Sequence, residues 1–170
     1  IIIQGSSGTG KATGFNKRIL ARNTLLASIK MPADLFVGKS SVQTYVYVFR
    51  VNEAHQKDDV VKFIDFSNDG YTRTNRKKAS CNLRDTDNAK ERYQELVDLV
   101  RYGKSKLQYF TEKEYYEGHI DPQNGADWNQ SAPVDTRPTL ADFKKTIGDY
   151  LAWEVSNILK SGTEDESLGK

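Results

Sequence analysis

The chain has 170 residues, of which 37% are hydrophobic and 28% charged, and its formal net charge at pH 7 is +2. This length is enough for one domain with a core, and no apolar run approaches the roughly 18 residues that a membrane span needs. So small a net charge does not by itself indicate nucleic-acid binding. The single cysteine, Cys81, excludes an internal disulfide and is typical of a reducing cytoplasm, where we expect the protein to act.

The first third of the chain is predicted to be α/β. Residues 1–3 are typical of the end of a buried strand. Residues 5–14 contain four glycines, which favour a turn. A short basic helix is predicted over residues 15–22, with Phe15, Ile19 and Leu20 facing inward, and a short apolar strand over residues 25–29.

Two strands are predicted next, over residues 42–51 and 59–66. The first alternates β-branched and aromatic residues with period two. The connection between the two strands is short, whereas a parallel return needs a crossover of about a dozen residues or more. We therefore predict an antiparallel hairpin of these two strands, on the edge of a sheet that includes residues 25–29.

The second half of the chain is predicted to be mainly helical. An amphipathic helix is expected over residues 87–102, capped by Thr86 or Asp87 and ended by Gly103. Its inward face is predicted to hold Tyr93, Leu96, Val97 and Val100. Residues 104–138 are polar with scattered aromatic side chains, which favours an irregular connection. Thr139 and Asp142 have the spacing of a capping box, and the helix after them has an apolar stripe of Phe143, Ile147, Leu151, Val155 and Ile158.

The glycine-rich segment has a partial nucleotide-binding pattern. Gly5 to Lys11 fits GxxxxGK, in which backbone amides cradle a phosphate and the lysine reaches a terminal phosphate. The next residue, Ala12, has no hydroxyl for Mg²⁺, and no buried strand is predicted after residue 66. A P-loop NTPase is therefore the third interpretation of this chain, and a basic turn beside a strand end is the simpler one.

An ordered set of short segments then resembles a known family. These are SSGTGKATGFNKRIL at 6–20, NTLLASIKMPADLF at 23–36, SVQTYVYVF at 41–49 and VKFIDFSNDGYTR at 61–73. Together they are similar to the adenine-specific DNA methyltransferases of restriction-modification systems, most closely to the modification subunit of type I systems. The resemblance implies the C-terminal part of a Rossmann-like sheet with a closing antiparallel hairpin, followed by a helical extension. It implies the domain limits 1–80 for the catalytic half and 81–162 for the extension, with 163–170 as a disordered acidic tail.

The resemblance also implies what lies elsewhere. The family's S-adenosylmethionine motif and its Asn-Pro-Pro-Tyr/Phe catalytic motif both come earlier in the family order, and none of the four prolines here forms a Pro-Pro pair. We therefore expect a fragment of a methyltransferase. The parent enzyme would use S-adenosylmethionine, while this chain alone would bind no cofactor and no metal and would be inactive.

Candidate functional residues follow from the same resemblance. Phe36 matches the aromatic residue that stacks on a flipped adenine in related enzymes, although a core position would also explain it. DNA-backbone contact is expected from basic residues in turns and in the basic stretch 72–84, for which a solvated surface is the alternative. These candidates are Lys11, Lys39, Arg73, Arg76, Lys77 and Lys78.

The predicted function is thus a fragment of an S-adenosylmethionine-dependent DNA adenine methyltransferase. Its expected partners are DNA and the specificity and restriction subunits of the same system, with no membrane partner. The apolar stripe after Thr139 is either an internal packing face or a subunit contact. The alternative function is a non-catalytic DNA- or subunit-binding module.

Overall fold

The structure is a computed structural model that describes residues 1–36, 42–75 and 81–167. It divides the chain into two compact units, Ile1–Pro133 and Val134–Lys170. The first unit therefore extends well beyond the limit predicted at residue 80, because later segments complete its sheet and its core.

A five-stranded mixed sheet organises the first unit. Its strands are β1 (Ile2–Gln4), β2 (Asn23–Lys30), β3 (Thr44–Val51), β4 (Val61–Asp65) and β7 (Tyr115–Gly118), and a separate two-stranded hairpin contains β5 (Tyr71–Asn75) and β6 (Cys81–Asp85). The order in the sheet is β1-β3-β2-β4-β7. Only β2 and β4 pair in parallel, while the other three pairs are antiparallel. Consequently β1 and β2 run in the same direction, with β3 reversed between them.

The predicted hairpin of residues 42–51 and 59–66 is wrong. Both segments are strands, but β2 lies between them: Ile29 pairs with Val46 of β3 on one side and with Ile64 of β4 on the other. The connection after β3 passes the start of β2 and does not turn back beside β3. The antiparallel pair that closes this part of the sheet is β2 with β3, so the short connection indicated relative direction but not adjacency.

The two faces of the sheet build two cores. The first core contains Leu20, Leu25, Tyr47, Val61, Phe63, Ile120 and Trp128. The second core contains Ile29, Met31, Ile64, Phe66, Leu99, Phe110 and Tyr115. In a regular strand, residues four positions apart lie on the same face. The register of β2 against β3 shifts between Leu25 and Ala27, and Leu25 and Ile29 therefore lie on opposite faces of the sheet.

Helix α1 (Thr13–Leu20) follows two short 3₁₀ helices, Gly5–Gly8 and Gly10–Ala12. Leu20 is buried in the first core and Ile19 packs against it, as predicted. The inward position predicted for Phe15 is wrong, since 67% of it is exposed. Five helical positions correspond to about 140° of rotation from Leu20, which turns Phe15 away from the sheet.

Helix α2 (Ala89–Tyr102) covers the second core and ends at Gly103, which has a φ of 76°. Neither predicted cap is used: Asn88 is the N-terminal cap residue, and the Asp85 carboxylate accepts a hydrogen bond from the Ala89 amide at 3.1 Å. Tyr93, Leu96 and Val100 pack against the second core as predicted. The prediction for Val97 is wrong, since Val97 is exposed and Leu99 is fully buried instead.

Residues 104–138 are less irregular than predicted. They supply β7, and Ile120 and Trp128 enter the first core. At the opposite side of the sheet, β1 forms an edge strand and half of Ile2 is exposed, so the prediction of a buried strand is wrong.

The second unit contains α3 (Leu140–Ser167). The predicted capping box is confirmed, because the Asp142 carboxylate accepts hydrogen bonds from the Thr139 amide at 2.8 Å and its hydroxyl at 2.7 Å. The predicted disordered segment 163–170 overlaps this helix, which extends to Ser167. Within this unit, the apolar stripe of α3 is exposed.

Candidate functional site

The carboxyl ends of β1, β2 and β4 lie at one end of the sheet, which we call the carboxyl end. The Gly5 amide donates to the Gln43 carbonyl at 2.9 Å, and the Met31 amide donates to the Thr44 carbonyl at 3.0 Å. Residues 5–12 and 31–36 therefore leave the sheet on either side of the start of β3. Open α/β sheets bind their ligands beyond the carboxyl ends of their strands, which makes this end the candidate site.

Residues 31–36, the MP loop, leave the end of β2 and carry Phe36. Met31 and Pro32 are buried, and the Leu35 amide donates to the Pro32 carbonyl at 3.2 Å to close a turn. Leu35 packs against the second core, whereas Phe36 is 42% exposed and belongs to neither core of the described residues. The turn thus points one apolar side chain inward and leaves the neighbouring aromatic ring accessible.

A buried carboxylate, Asp69, organises the turn after β4. It accepts hydrogen bonds from the Arg73 guanidinium, from the Tyr93 hydroxyl at 2.9 Å and from the Tyr71 amide at 3.1 Å. Burial alone would raise the pKa of Asp69, but these hydrogen bonds outweigh it and hold the pKa below its usual value. Burial and the hydrogen bond to Asp69 raise the pKa of Tyr93 to about 12.

Arg73 links this carboxylate to the MP loop. One of its nitrogens, Nη1, lies 3.0 Å from Asp69 Oδ1 and 3.3 Å from Asp34 Oδ1. Only 6% of the Arg73 side chain is exposed. Its charge is therefore engaged by two carboxylates, and this geometry does not present a free cation to a phosphate.

The carbonyl groups of the glycine-rich segment accept hydrogen bonds from α1 and from the segment after β7. The Gly5 carbonyl accepts from Asn129 Nδ2 at 2.7 Å, the Ser7 carbonyl from Asn16 Nδ2 at 2.8 Å, and the Gly8 carbonyl from the Trp128 amide at 3.2 Å. A side chain at Gly8 would collide with the Tyr47 hydroxyl and the Asn129 amide group. These contacts account for Gly5 and Gly8 by close packing against the sheet and residue 129, and they involve no phosphate ligand.

Lys11 follows this cap in the second 3₁₀ helix, and its side chain is exposed. Among the other predicted phosphate contacts, Lys39, Arg76, Lys77 and Lys78 lie outside the described residues. Phe36 and Lys11 are thus the predicted site residues that the structure places, accessible, on segments leaving the carboxyl end.

A polar cleft of about 180 Å³ opens beside the same strands. Lys30 Nζ and Asp65 Oδ2 form an ion pair of 3.0 Å there, and the buried Ser28 hydroxyl has no hydrogen-bond partner among the described residues. Burial acts to raise the pKa of Asp65, but hydrogen bonds from Ser67 and Lys30 and the Lys30 charge lower it on balance.

Residues 1–36, 42–75 and 81–167 contain neither a metal-binding cluster nor a membrane-spanning helix. No three His, Cys, Asp or Glu side chains in these ranges are grouped so that they could hold a metal ion. None of the helices described there is both long and apolar enough to cross a membrane.

Sequence reasoning missed the connection between Asp34, Asp69 and Arg73. Asn68-Asp69-Gly70 indicated a turn, which the structure has, but nothing local shows that a turn carboxylate will be buried under a tyrosine of α2. The basic stretch likewise gave no signal that one of its arginines pairs with acids on two other segments.

Comparisons with known proteins agree with the resemblance noted in the sequence. The sequence model of the N-6 DNA methylase family matches residues 3–127. Among curated proteins, no significant match to the chain was found.

Two solved structures are similar to the chain. One comes from a study of complex assembly and conformational transition of the type I R-M system. Its sequence is 12% identical to this chain, the TM-score is 0.51, and the alignment covers 99% of this chain and 35% of that chain. The other is a modification subunit of a putative type I restriction enzyme from Vibrio vulnificus YJ016. Its sequence is 8% identical, the TM-score is 0.46, and the alignment covers 83% of this chain and 26% of that chain. The first likeness supports a shared fold, and the chain spans about a third of that structure's length.

Proposed function

Since the chain belongs to the N-6 DNA methylase family, we propose that it is the closing part of a DNA adenine methyltransferase of a restriction-modification system. The observation that carries this proposal is the family match over residues 3–127. The match includes the MP loop, most of β1, the other four strands of the sheet and the β5–β6 hairpin. The parent enzyme would transfer a methyl group from S-adenosylmethionine to an adenine in DNA, in the cytoplasm.

The sheet has room for the rest of a Rossmann-like domain. No described strand pairs with the outer edge of β1, so further parallel strands can be added there. We propose that these strands belong to the part of the enzyme that holds the S-adenosylmethionine motif and the Asn-Pro-Pro-Tyr/Phe motif. On this proposal the 170-residue chain supplies the far side of the active site and does not transfer a methyl group alone.

Phe36 is the residue proposed to meet the substrate. An enzyme that modifies an adenine must flip the base out of the duplex, and an aromatic face stabilises the flipped base by stacking. The exposed ring at the carboxyl end of β2 is accessible for such a contact. Lys11, Lys39, Arg76, Lys77 and Lys78 are proposed to bind the phosphate backbone around the target, where position and positive charge are sufficient.

The second unit is proposed to bind other subunits. In α3, the side chains of Phe143, Ile147, Leu151 and Val155 are each more than half exposed within the unit and recur at helical spacing. Such a stripe suits the specificity or restriction subunit of the same system. It is also the observation that favours the alternative function, a non-catalytic subunit-binding or DNA-binding module. No described contact favours the P-loop NTPase.

The test is methyl transfer by the whole protein that contains this chain. Purified protein is incubated with radiolabelled S-adenosylmethionine and DNA, with and without its neighbouring subunits, and N6-methyladenine is mapped by sequencing. We expect label in adenine at a defined sequence, and none with the 170-residue chain alone. DNA or subunit binding without any methyl transfer would favour the binding module instead.

A further inference from the structure

The loop that carries Phe36 and the hairpin β5–β6 are joined through one guanidinium group. We propose that Arg73 is a positioning residue that holds the MP loop, through Asp34, in the conformation that presents Phe36 to a flipped adenine. This inference rests on the proposed function and assigns to Arg73 a role different from phosphate binding.

The inner half of this connection is rigid. Asp69 is almost completely buried and receives hydrogen bonds from Arg73, Tyr93 and the Tyr71 amide. The next residue, Gly70, has a φ of 85°, and a side chain there would meet the backbone of Ala89 at 2.5 Å. The turn is therefore fixed against α2, and it fixes the position of the Arg73 guanidinium in turn.

The outer half reaches the MP loop. Arg73 Nη1 lies 3.3 Å from Asp34 Oδ1, and Asp34 is two residues before Phe36. A planar guanidinium has five donors in a fixed fork, so it can serve two carboxylates at once, which a lysine ammonium does with much less geometric definition. The MP loop is thereby tied to a group whose own location is set by the core.

Removal of Asp69 and removal of Asp34 would affect the fold differently. Asp69 is inside the fold, so its removal would leave a buried charge unpaired and destabilise the whole unit. The Asp34 side chain is 50% exposed, and its removal opens no cavity. Asp34 is therefore the position at which the orientation of the loop can be changed while the fold is kept.

The experiment uses Asp34→Asn, with Glu53→Gln as the matched control. Glu53 is 52% exposed and pairs with Arg50 at 3.0 Å, but it lies beyond the opposite end of β3. Amide hydrogen exchange of residues 33–36 is measured in the 170-residue chain. Flipping is measured in the whole methyltransferase, as the fluorescence of 2-aminopurine at the mapped target adenine, together with kcat and KM.

We expect faster exchange in residues 33–36 and a roughly two- to five-fold weaker flipped state in Asp34→Asn, the range that an exposed ion pair supports. Glu53→Gln should change neither. In a Phe36→Ala background, Asp34→Asn should have no further effect on flipping, because a positioning residue acts only through the residue that it positions. Arg73→Lys, which keeps the charge but not the fork, should resemble Asp34→Asn in flipping.

The outcomes separate the two proposals. Unchanged exchange and flipping in Asp34→Asn, while Phe36→Ala still weakens flipping, would overturn the role of Arg73 and leave the proposed function intact. An Asp34→Asn effect that persists in the Phe36→Ala background would also overturn it. If Phe36→Ala itself leaves flipping unchanged, the base-stacking role fails, and the positioning role fails with it.

Discussion

Replacing Phe36 with alanine distinguishes a base-stacking residue from a core residue. The ring is 42% exposed, so 58% of its surface is covered. Complete burial of such a side chain contributes about 1.5–3 kcal/mol, so the covered part contributes roughly 1–2 kcal/mol to the free energy of unfolding. Truncation of a fully buried phenylalanine would cost about 3–5 kcal/mol. The structure therefore predicts a modest loss of stability.

The loss in DNA recognition should be at least as large. A base–aromatic stack contributes about 1–3 kcal/mol, which corresponds to roughly a 5- to 150-fold weaker flipped state. Phe36→Tyr and Phe36→Trp keep a π-face and should retain much of the activity. Unfolding by urea gives the stability of each variant, and competition between duplexes with and without an abasic or mismatched target gives its preference for easily flipped bases.

Leu35 provides the matched control. It is adjacent in sequence, but it packs against the second core. Leu35→Ala should therefore lower stability by more than Phe36→Ala does, with little change in target preference per folded molecule. A Phe36→Ala variant that loses 3 kcal/mol or more of stability while its preference for flipped targets is unchanged would refute the stacking role.

Three further predictions concern other parts of the chain. Gly8→Ala should destabilise the first unit by about 1–3 kcal/mol in urea unfolding, because its new methyl group would collide with the Tyr47 hydroxyl. Gly10 has open space around it, so Gly10→Ala should leave the stability nearly unchanged. If Gly10→Ala lowered the stability as much as Gly8→Ala, the collision at Gly8 would not be the cause. Burial lowers the pKa of His55, so the native state binds fewer protons than the unfolded state, and the free energy of unfolding should fall as the pH drops below about 6.5. His55→Gln should remove that part of the pH dependence, and an unchanged dependence would show that another group causes it. Calorimetry should detect neither binding of S-adenosylmethionine nor ATP turnover by the 170-residue chain, whereas Mg²⁺-dependent turnover lost in Lys11→Ala would revive the NTPase.

Local sequence signals predicted local structure well. The period-two alternation located β3, and the Thr139–Asp142 spacing located the start of α3, because each depends on side chains a few positions apart. The order of the strands was not predictable in this way. Strand order depends on packing between segments that are distant in sequence. Here β2 lies between β3 and β4 and is buried on both faces.

The candidate site shows the same limit. The resemblance located Phe36 at the end of a strand, but its exposure depends on Leu35 taking the inward position. Arg73 was predicted to contact the DNA backbone or to be solvated, since nothing near it in sequence reveals that Asp34 will lie beside it. Trp128 was assigned to an irregular connection, although it fills the first core from more than 70 residues beyond β3.

The outer edge of β1, which no strand among the described residues covers, has a practical consequence for handling the chain alone. An edge strand with free amide and carbonyl groups is a template for pairing with another chain, and natural edges are usually blunted by charges or proline. This edge has the sequence Ile-Ile-Gln and contains neither. Without a covering strand, the chain is therefore expected to self-associate through β1 as its concentration rises. A lysine introduced by Ile2→Lys is the change that would keep it dispersed.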